Sequence, residues 1–217
     1  MNTSVTGHKG IFITLEGGEG AGKSTSLAFL ENGFRQYGHE VLLTREPGGT
    51  VLGEKVREIL LHATDLHIVP DAELLLMFAA RAQHLQTCIE PALGQGKVVL
   101  CDRFTDASYA YQGAGRGIDA DRIKVLEQWV QGSRRPDVTL LFDLPVTQGL
   151  KRANSRSEPD RFEREQQAFF ERVRAGYLAI AKKEPDRVKV IDASKSIEQV
   201  QLQLEMIVEE LVTGHGD

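Results

Sequence analysis

Short apolar runs alternate with longer amphipathic stretches along the chain. The apolar runs are typical of buried strands and predict β-strands at Gly10–Glu16, Glu40–Thr44, Val98–Asp102, Val138–Asp143 and Val188–Asp192. The amphipathic stretches predict helices at Lys23–Tyr37, Val51–His62, Asp71–Leu93, Asp121–Gln131, Val146–Ala153, Gln166–Lys183 and Ile197–Val212. Strands that alternate with helices of this length indicate an α/β fold with a parallel sheet covered on both faces. Such sheets bind ligands at the carboxyl ends of their strands.

Composition narrows the class of protein. The 217 residues are 41% hydrophobic and 26% charged, which predicts one globular domain over residues 1–217. The net charge of -5 argues against a nucleic acid partner. The two cysteines lack metal-binding spacing, and the scattered histidines are interpreted as surface or structural residues. No signal peptide or membrane-spanning run is visible, so we expect a cytoplasmic protein with no membrane partner.

A glycine-rich stretch, GGEGAGKS at residues 17–24, lies between the first predicted strand and the first predicted helix. Its spacing, G-x-x-x-x-G-K-S, predicts a phosphate-binding loop whose backbone N–H groups converge on phosphate oxygens at a helix N-terminus. Lys23 adds a positive charge, and the Ser24 hydroxyl is a candidate ligand of Mg²⁺. The residues predicted to bind the nucleotide are Gly17, Gly18, Glu19, Gly20, Ala21, Gly22, Lys23, Ser24 and Thr25.

The third predicted strand, VVLCD, ends in Asp102 directly before Arg103. An apolar strand that closes in aspartate is typical of the second element on the Mg²⁺ side of phosphate-loop proteins, so Asp102 is a second metal candidate. The sequence lacks the D-x-x-G switch and the guanine-reading motif of GTPases in suitable places. A second polar site is indicated instead by TREPGGT (44–50), FAAR (78–81) and DRFTDASYAYQGAGRG (102–117).

These motifs, with RPD-x-T-x-x-x-D (135–143) and the basic stretch 151–161, resemble those of the thymidylate kinases, the bacterial ones in particular, over essentially the whole chain. The resemblance implies a phosphate-loop NTPase-like fold with a five-stranded parallel sheet, a lid at about 150–163, and a homodimer. It implies transfer of the γ-phosphoryl group of ATP to dTMP with Mg²⁺, giving dTDP and ADP for dTTP synthesis. The alternatives are another nucleoside monophosphate or deoxynucleoside kinase, or a non-catalytic nucleotide-binding regulator.

The resemblance also implies which side chains contact dTMP. Arg103 clamps its phosphate from one side, and Arg57, with Arg45 as a further candidate, does so from the other. Ser108 and Gln112 bond the thymine edge, Arg81 bonds a thymine carbonyl, Tyr111 closes on the sugar, and Glu19 is directed towards the sugar and metal region. The full set of predicted dTMP ligands is Arg45, Glu46, Pro47, Arg57, Met77, Phe78, Arg81, Arg103, Ser108, Tyr111 and Gln112.

Two features leave alternatives open. The family usually stacks thymine on a phenylalanine four residues before the position of Arg81, where this chain has Met77 and then Phe78. Helical spacing favours Met77 over the base and Phe78 in the core, and both stay candidates.

The basic stretch that follows residue 150 is interpreted as a lid or, alternatively, as a solvated helix face. Because the phosphate loop contains no arginine, Arg156 and Arg161 are the candidates for a catalytic arginine. Glu163 is a candidate on the metal or sugar side.

Overall fold

The computed structural model describes residues 10–63, 66–153, 160–163 and 165–214. Five parallel strands form one sheet in the order β2-β3-β1-β4-β5, which confirms the predicted fold class. The strands are β1 (Ile11–Gly17), β2 (Val41–Arg45), β3 (Val98–Asp102), β4 (Val138–Asp143) and β5 (Val188–Asp192). The first two begin and end one residue later than predicted, and the other three match.

The helices lie on both faces of this sheet. They are α1 (Lys23–Gln36), α2 (Val51–His62), α3 (Pro70–His84), α4 (Glu90–Gly94), α5 (Thr105–Ser108), α6 (Ala120–Gln131), α7 (Val146–Ala153), α8 (Gln167–Lys183) and α9 (Ile197–Gly214). Six of the seven predicted helices are found, with ends within two residues of the prediction. None of the described helices is long and apolar enough to cross a membrane.

The predicted helix Asp71–Leu93 is wrong as a continuous α-helix. It is divided into α3 and α4 by a π-helical turn at Leu85–Ile89. Pro91 lies just beyond this turn and has no N–H, and in a regular α-helix its ring would clash with the carbonyl group of Thr87. The π-helical turn is wider than an α-helical turn, so it avoids this clash.

A second π-helical segment, Tyr109–Gly115, continues directly from the short helix α5. The sequence pattern predicted neither. Single π-helical turns are frequent at functional sites, and this one includes Tyr111 and Gln112.

The central strand β1 is buried on both faces, as expected inside a parallel sheet. Ile11, Ile13 and Leu15 pack with residues of α1 and α9 on one side, while Phe12 packs with residues of β3 and the π-helical turn on the other. Leu15 pairs with Asp102 of β3. The phosphate loop that follows β1 is therefore adjacent to Asp102 at the carboxyl edge of the sheet.

Candidate active site

A cavity of about 220 Å³ opens at this carboxyl edge. Its walls come from the phosphate loop, from the segments after β2 and β3, from α2 and α3, and from residues 160–163 at the end of the predicted lid. The predicted site residues that line it are Glu19, Gly20, Ala21, Gly22, Lys23, Ser24, Arg45, Glu46, Pro47, Arg57, Met77, Arg81, Asp102, Arg103, Ser108, Tyr111, Gln112 and Glu163. The structure thus brings most of the predicted residues into one cavity.

The phosphate loop is held against α7 by close backbone contact. Gly20 has φ +68°, and a Cβ atom there would lie 2.2 Å from the carbonyl oxygen of Gly149. Only glycine fits this position. Gly17 and Gly18 face a smaller cavity behind the loop, and Thr25 is exposed on α1.

Lys23 is buried, and its Nζ donates to the carbonyl oxygens of Gly17 and Gly18 at 3.2 and 3.0 Å. Burial, together with the positive charge of Arg103, lowers the pKa of its ammonium group from the ordinary value. Because burial and a neighbouring positive charge destabilise the charged ammonium group, an anionic ligand beside Lys23 would stabilise it.

Arg103 has an unusual backbone. Its φ is +69°, in the left-handed region that residues with a side chain rarely adopt. Its guanidinium donates to the carbonyl oxygen of Gly17 at 2.8 Å and to Glu19, and lies 4.8 Å from the centre of the Tyr111 ring. The side chain therefore crosses from the end of β3 to the phosphate loop.

Glu19 is the negatively charged residue that lies among Arg103, Lys23 and Tyr111. Burial alone would raise its pKa, but the charges of Arg103 and Lys23 and the hydrogen bond from the Tyr111 hydroxyl outweigh burial and lower the pKa below its ordinary value. The Tyr111 hydroxyl donates to Glu19 at 2.9 Å. Glu19 is thus a fixed carboxylate between the phosphate loop and the wall formed by Tyr111.

Asp102 fits a magnesium site. Within the described part of the chain, its Oδ1 is the one buried side-chain polar atom that lacks a hydrogen-bond partner. It lines the cavity together with the exposed Ser24. The described residues hold no cluster of three or more His, Cys, Asp or Glu side chains. Mg²⁺ bound with nucleotide phosphates needs only one or two protein ligands, since phosphates and water supply the others.

Arg81 is almost fully buried on α3, and each of its nitrogen atoms is engaged. Nε donates to Glu46 at 2.7 Å, Nη1 to Ser108 at 3.1 Å and Nη2 to the carbonyl oxygen of Phe104 at 3.0 Å. This network joins the EPGG turn, α3 and α5 into one wall.

His84 belongs to the same buried wall. Its ring nitrogens lie 3.0 Å from Glu46 and 2.6 Å from the Thr44 hydroxyl. Gly49 has φ +71° and packs against this ring, where a Cβ atom would lie 2.5 Å from His84 Nε2. The second glycine of TREPGGT thus makes room for a buried histidine. The sequence placed His84 among surface or structural residues, and the second description fits.

Met77 and Phe78 occupy different environments. Met77 lines the cavity. Phe78 is buried with Leu74, Ile118 and Ile123, and its ring faces the guanidinium of Arg81 at 4.5 Å. The geometry favours Met77 as the residue that would cover a base.

The two arginines beyond β2 differ in how firmly they are held. Arg45 pairs with Glu54 at 2.9 Å, and both side chains are about half exposed. Arg57 donates to the carbonyl oxygen of Pro47 at 3.1 Å. Burial, and then the charge of Arg45, lowers the pKa of Arg57. Arg57 is therefore a partly desolvated cation on the wall of the cavity.

Asp160, Phe162 and Glu163, in the described end of the predicted lid, line the cavity. Burial raises the pKa of Glu163, and its carboxylate accepts from the backbone N–H of Asp160 at 3.0 Å. Arg161 points elsewhere, to Glu73 and to the carbonyl oxygen of Leu60. Arg156 lies outside the described residues.

The buried residues with polar groups that were not among the predicted site residues include Glu73, Tyr177 and Glu16. Glu73 precedes Met77 by four positions, so helical spacing alone would have placed it on the same face. Glu16 accepts from the Tyr177 hydroxyl and from the backbone N–H of Phe104, each at 2.7 Å. Burial, and then the charge of Asp106, raises the pKa of Glu16 to about 7. No sequence signal distinguished Tyr177 from other apolar positions of α8.

Comparison with known proteins adds a second line of evidence. The sequence profile named Thymidylate kinase matches residues 15–204. Thymidylate kinases of Pseudomonas putida and Methylococcus capsulatus are 59% and 58% identical over 199 and 206 residues, covering 92% and 95% of this chain and 95% and 98% of theirs. A crystal structure of thymidylate kinase from Ehrlichia chaffeensis matches with a TM-score of 0.72 and 38% identity, over 92% of this chain and 98% of that one. Sequence profile, relatives and fold agree, and the chain belongs to the thymidylate kinase family.

Proposed function

We propose that the chain transfers the γ-phosphoryl group of ATP to dTMP with Mg²⁺, giving ADP and dTDP. The observation that carries this proposal is the shared cavity. It unites a phosphate loop, a buried aspartate oxygen without a partner, and a second set of arginines beside a largely buried polar wall. A protein that only bound one nucleotide would need the loop alone.

The acceptor chemistry explains why several cationic side chains, Lys23, Arg57 and Arg103 among them, line the cavity. A phosphate monoester has a second pKa of about 6, so dTMP is largely a dianion near neutral pH and needs no general base. What remains is to align two polyanions and to neutralise their charge. Lys23 serves the donor phosphates, and Arg103 and Arg57 hold the acceptor phosphate. Arginine suits that task because its planar fork fixes a phosphate in one orientation.

Magnesium would be held by Ser24 and Asp102, with Glu163 as a further candidate towards the metal or sugar side. When bound, the ion neutralises charge on the phosphates of ATP. Glu19, which Arg103 and Tyr111 hold in place, would face the sugar and metal region.

The base would lie against the wall that Arg81 organises. Arg81 and Ser108 present hydrogen-bonding groups to a thymine carbonyl and edge, Gln112 reads the same edge, and Met77 covers the ring. Tyr111 lies on the sugar side, where its ring packs edge-on to Phe162 at 5.8 Å. A 2′-hydroxyl group would be excluded there, which favours deoxynucleotides.

The test is a steady-state phosphoryl-transfer assay with ATP, Mg²⁺ and each of dTMP, dUMP, dCMP, dGMP and thymidine. We expect the highest kcat/KM with dTMP. A higher kcat/KM with another monophosphate or with thymidine would show that dTMP is not the preferred acceptor. Nucleotide binding without turnover of any of them would favour a regulator.

The same assay makes a quantitative prediction for the methyl group of thymine. One methyl group in an apolar pocket discriminates by about 10- to 200-fold, so dTMP should exceed dUMP by a factor in this range. Apolar side chains on the cavity, including Met77 and Ala107, provide such a pocket. Equal kcat/KM for dUMP and dTMP would show that no side chain contacts the methyl group.

We also infer that the chain works in the cytoplasm as a homodimer. The described cysteines, Cys88 and Cys101, are both free, as is usual in a reducing compartment. Three large apolar side chains are exposed on the neighbouring helices α3 and α6: Leu75 at 56%, Val125 at 63% and Trp129 at 82%. Aromatic residues are enriched in interfaces, and a two-fold symmetric contact would cover this face with its own copy.

Trp129→Glu should convert the dimer into a monomer, because a charge at the centre of an apolar interface is costly. The molar mass is measured by light scattering after gel filtration. Met206→Glu is the matched control, since Met206 is also exposed but lies on α9, which packs on α1 and β5. An unchanged dimer in Trp129→Glu, or a monomer in Met206→Glu, would place the interface elsewhere.

A further inference from the structure

Glu73 is a fully buried carboxylate on α3 that no step of the proposed reaction uses. Its Oε1 accepts from the Gln112 amide nitrogen at 2.8 Å. Its Oε2 accepts from Arg161 at 2.5 Å and from Arg116 at 3.3 Å. Two guanidinium groups thus pair with the carboxylate, and Oε1, which also accepts from Arg116 Nε at 3.4 Å, is directed at the side chain of Gln112.

The amide of Gln112 is asymmetric, and Glu73 decides which way it faces. An ionised carboxylate only accepts hydrogen bonds, so the NH₂ group of the amide must point to it and the carbonyl oxygen must point away. Gln112 is 1% exposed, and it lines the cavity. The group that remains for a ligand in the cavity is therefore an acceptor.

An acceptor at this place selects among pyrimidines. The ring N3 of thymine or uracil carries a hydrogen and donates, whereas N3 of cytosine has none and accepts. A carbonyl oxygen can accept a hydrogen bond from N3 of thymine or uracil, but it repels the N3 lone pair of cytosine. A flipped amide would present its NH₂ group instead and would favour cytosine.

We propose that Glu73 is a positioning residue that sets the base specificity of the site by holding the Gln112 carbonyl oxygen towards N3 of the pyrimidine. This inference rests on the proposed function, since it concerns the acceptor nucleotide of that reaction. Glu73 itself does not touch the substrate. It acts through the orientation of one amide.

The test compares kcat/KM for dTMP, dUMP and dCMP in the wild type and in Glu73→Gln. A glutamine at position 73 can offer either an acceptor or a donor, so the amide of Gln112 is free to turn. We expect the dTMP-to-dCMP ratio to fall by at least about fivefold, in line with the net strength of one hydrogen bond. The dTMP-to-dUMP ratio should stay at the wild-type value, because the two bases are identical at N3.

Glu165→Gln is the matched control. Glu165 pairs with the same Arg116, through Nη1 at 2.5 Å, and its neutralisation removes the same charge while Glu73 remains in place. Its dTMP-to-dCMP ratio should equal that of the wild type. An unchanged ratio in Glu73→Gln, or an equal fall in Glu165→Gln, would overturn the role of Glu73.

The exchange variant Glu73→Gln/Gln112→Glu keeps the test valid if the single variant does not fold. It retains the charge of the pair and places an acceptor-only carboxylate at position 112, so it should stay selective for dTMP over dCMP. Selectivity for dCMP in this variant would also overturn the inference. Failure of the proposed function is seen separately, as a wild type that does not phosphorylate dTMP.

Discussion

Arg103→Ala is expected to lower kcat by about 10³-fold or more, the order of loss seen when one preorganised donor to developing charge is removed. It should also weaken dTMP binding, because Arg103 is the main clamp of the acceptor phosphate in the proposed reaction. The geometry supports this assignment, since the guanidinium bridges from the end of β3 to Gly17 and Glu19. The measurements are steady-state kinetics and calorimetry with dTMP.

Lys23→Ala provides the contrast that separates the donor site from the acceptor site. It should abolish turnover as well, but dTMP affinity should remain close to that of the wild type, because Lys23 serves the phosphates of ATP. Arg35→Ala, on the exposed surface of α1, controls for the loss of one positive charge. Unaltered dTMP affinity in Arg103→Ala would assign Arg103 to the donor side instead.

The parts of the site that the sequence predicted are those built from neighbouring residues. The phosphate loop needs one strand, one glycine-rich turn and one helix in order, and all three are local patterns. Asp102 was predictable because a strand end and an acidic residue coincide. Helical spacing likewise placed Met77 towards the cavity and Phe78 in the core, as observed.

What the sequence could not give is contact between residues distant in the chain. Glu73 meets Gln112 and Arg161 across 39 and 88 positions, and no local period records such a meeting. The π-helical segments also escaped prediction, because a regular 3.6-residue period does not describe turns that contain an extra residue. Arg161 shows the consequence: spacing grouped it with the other lid cations, but the structure pairs it with Glu73.

The pairing of Arg161 sharpens the prediction for the lid. Arg161 donates to Glu73 and to the carbonyl oxygen of Leu60, which links this end of the predicted lid to α2 and α3. Arg156 remains as the candidate to reach the transferring phosphoryl group when the lid closes. The phosphate loop offers no arginine of its own to take this role.

Arg156→Ala should therefore lower kcat by about 10²-fold or more, because arginine fingers act mainly in the transition state of phosphoryl transfer. The affinity for dTMP should change little, and Arg156→Lys should recover only part of the rate, since a point charge lacks the planar fork. Arg161→Ala should have the smaller effect on kcat. Lys151→Ala, an exposed neighbour on α7, controls for lost charge and should keep nearly the full rate. Near-normal kcat in both arginine variants would mean that the basic stretch is a solvated surface and that catalysis does not depend on the lid.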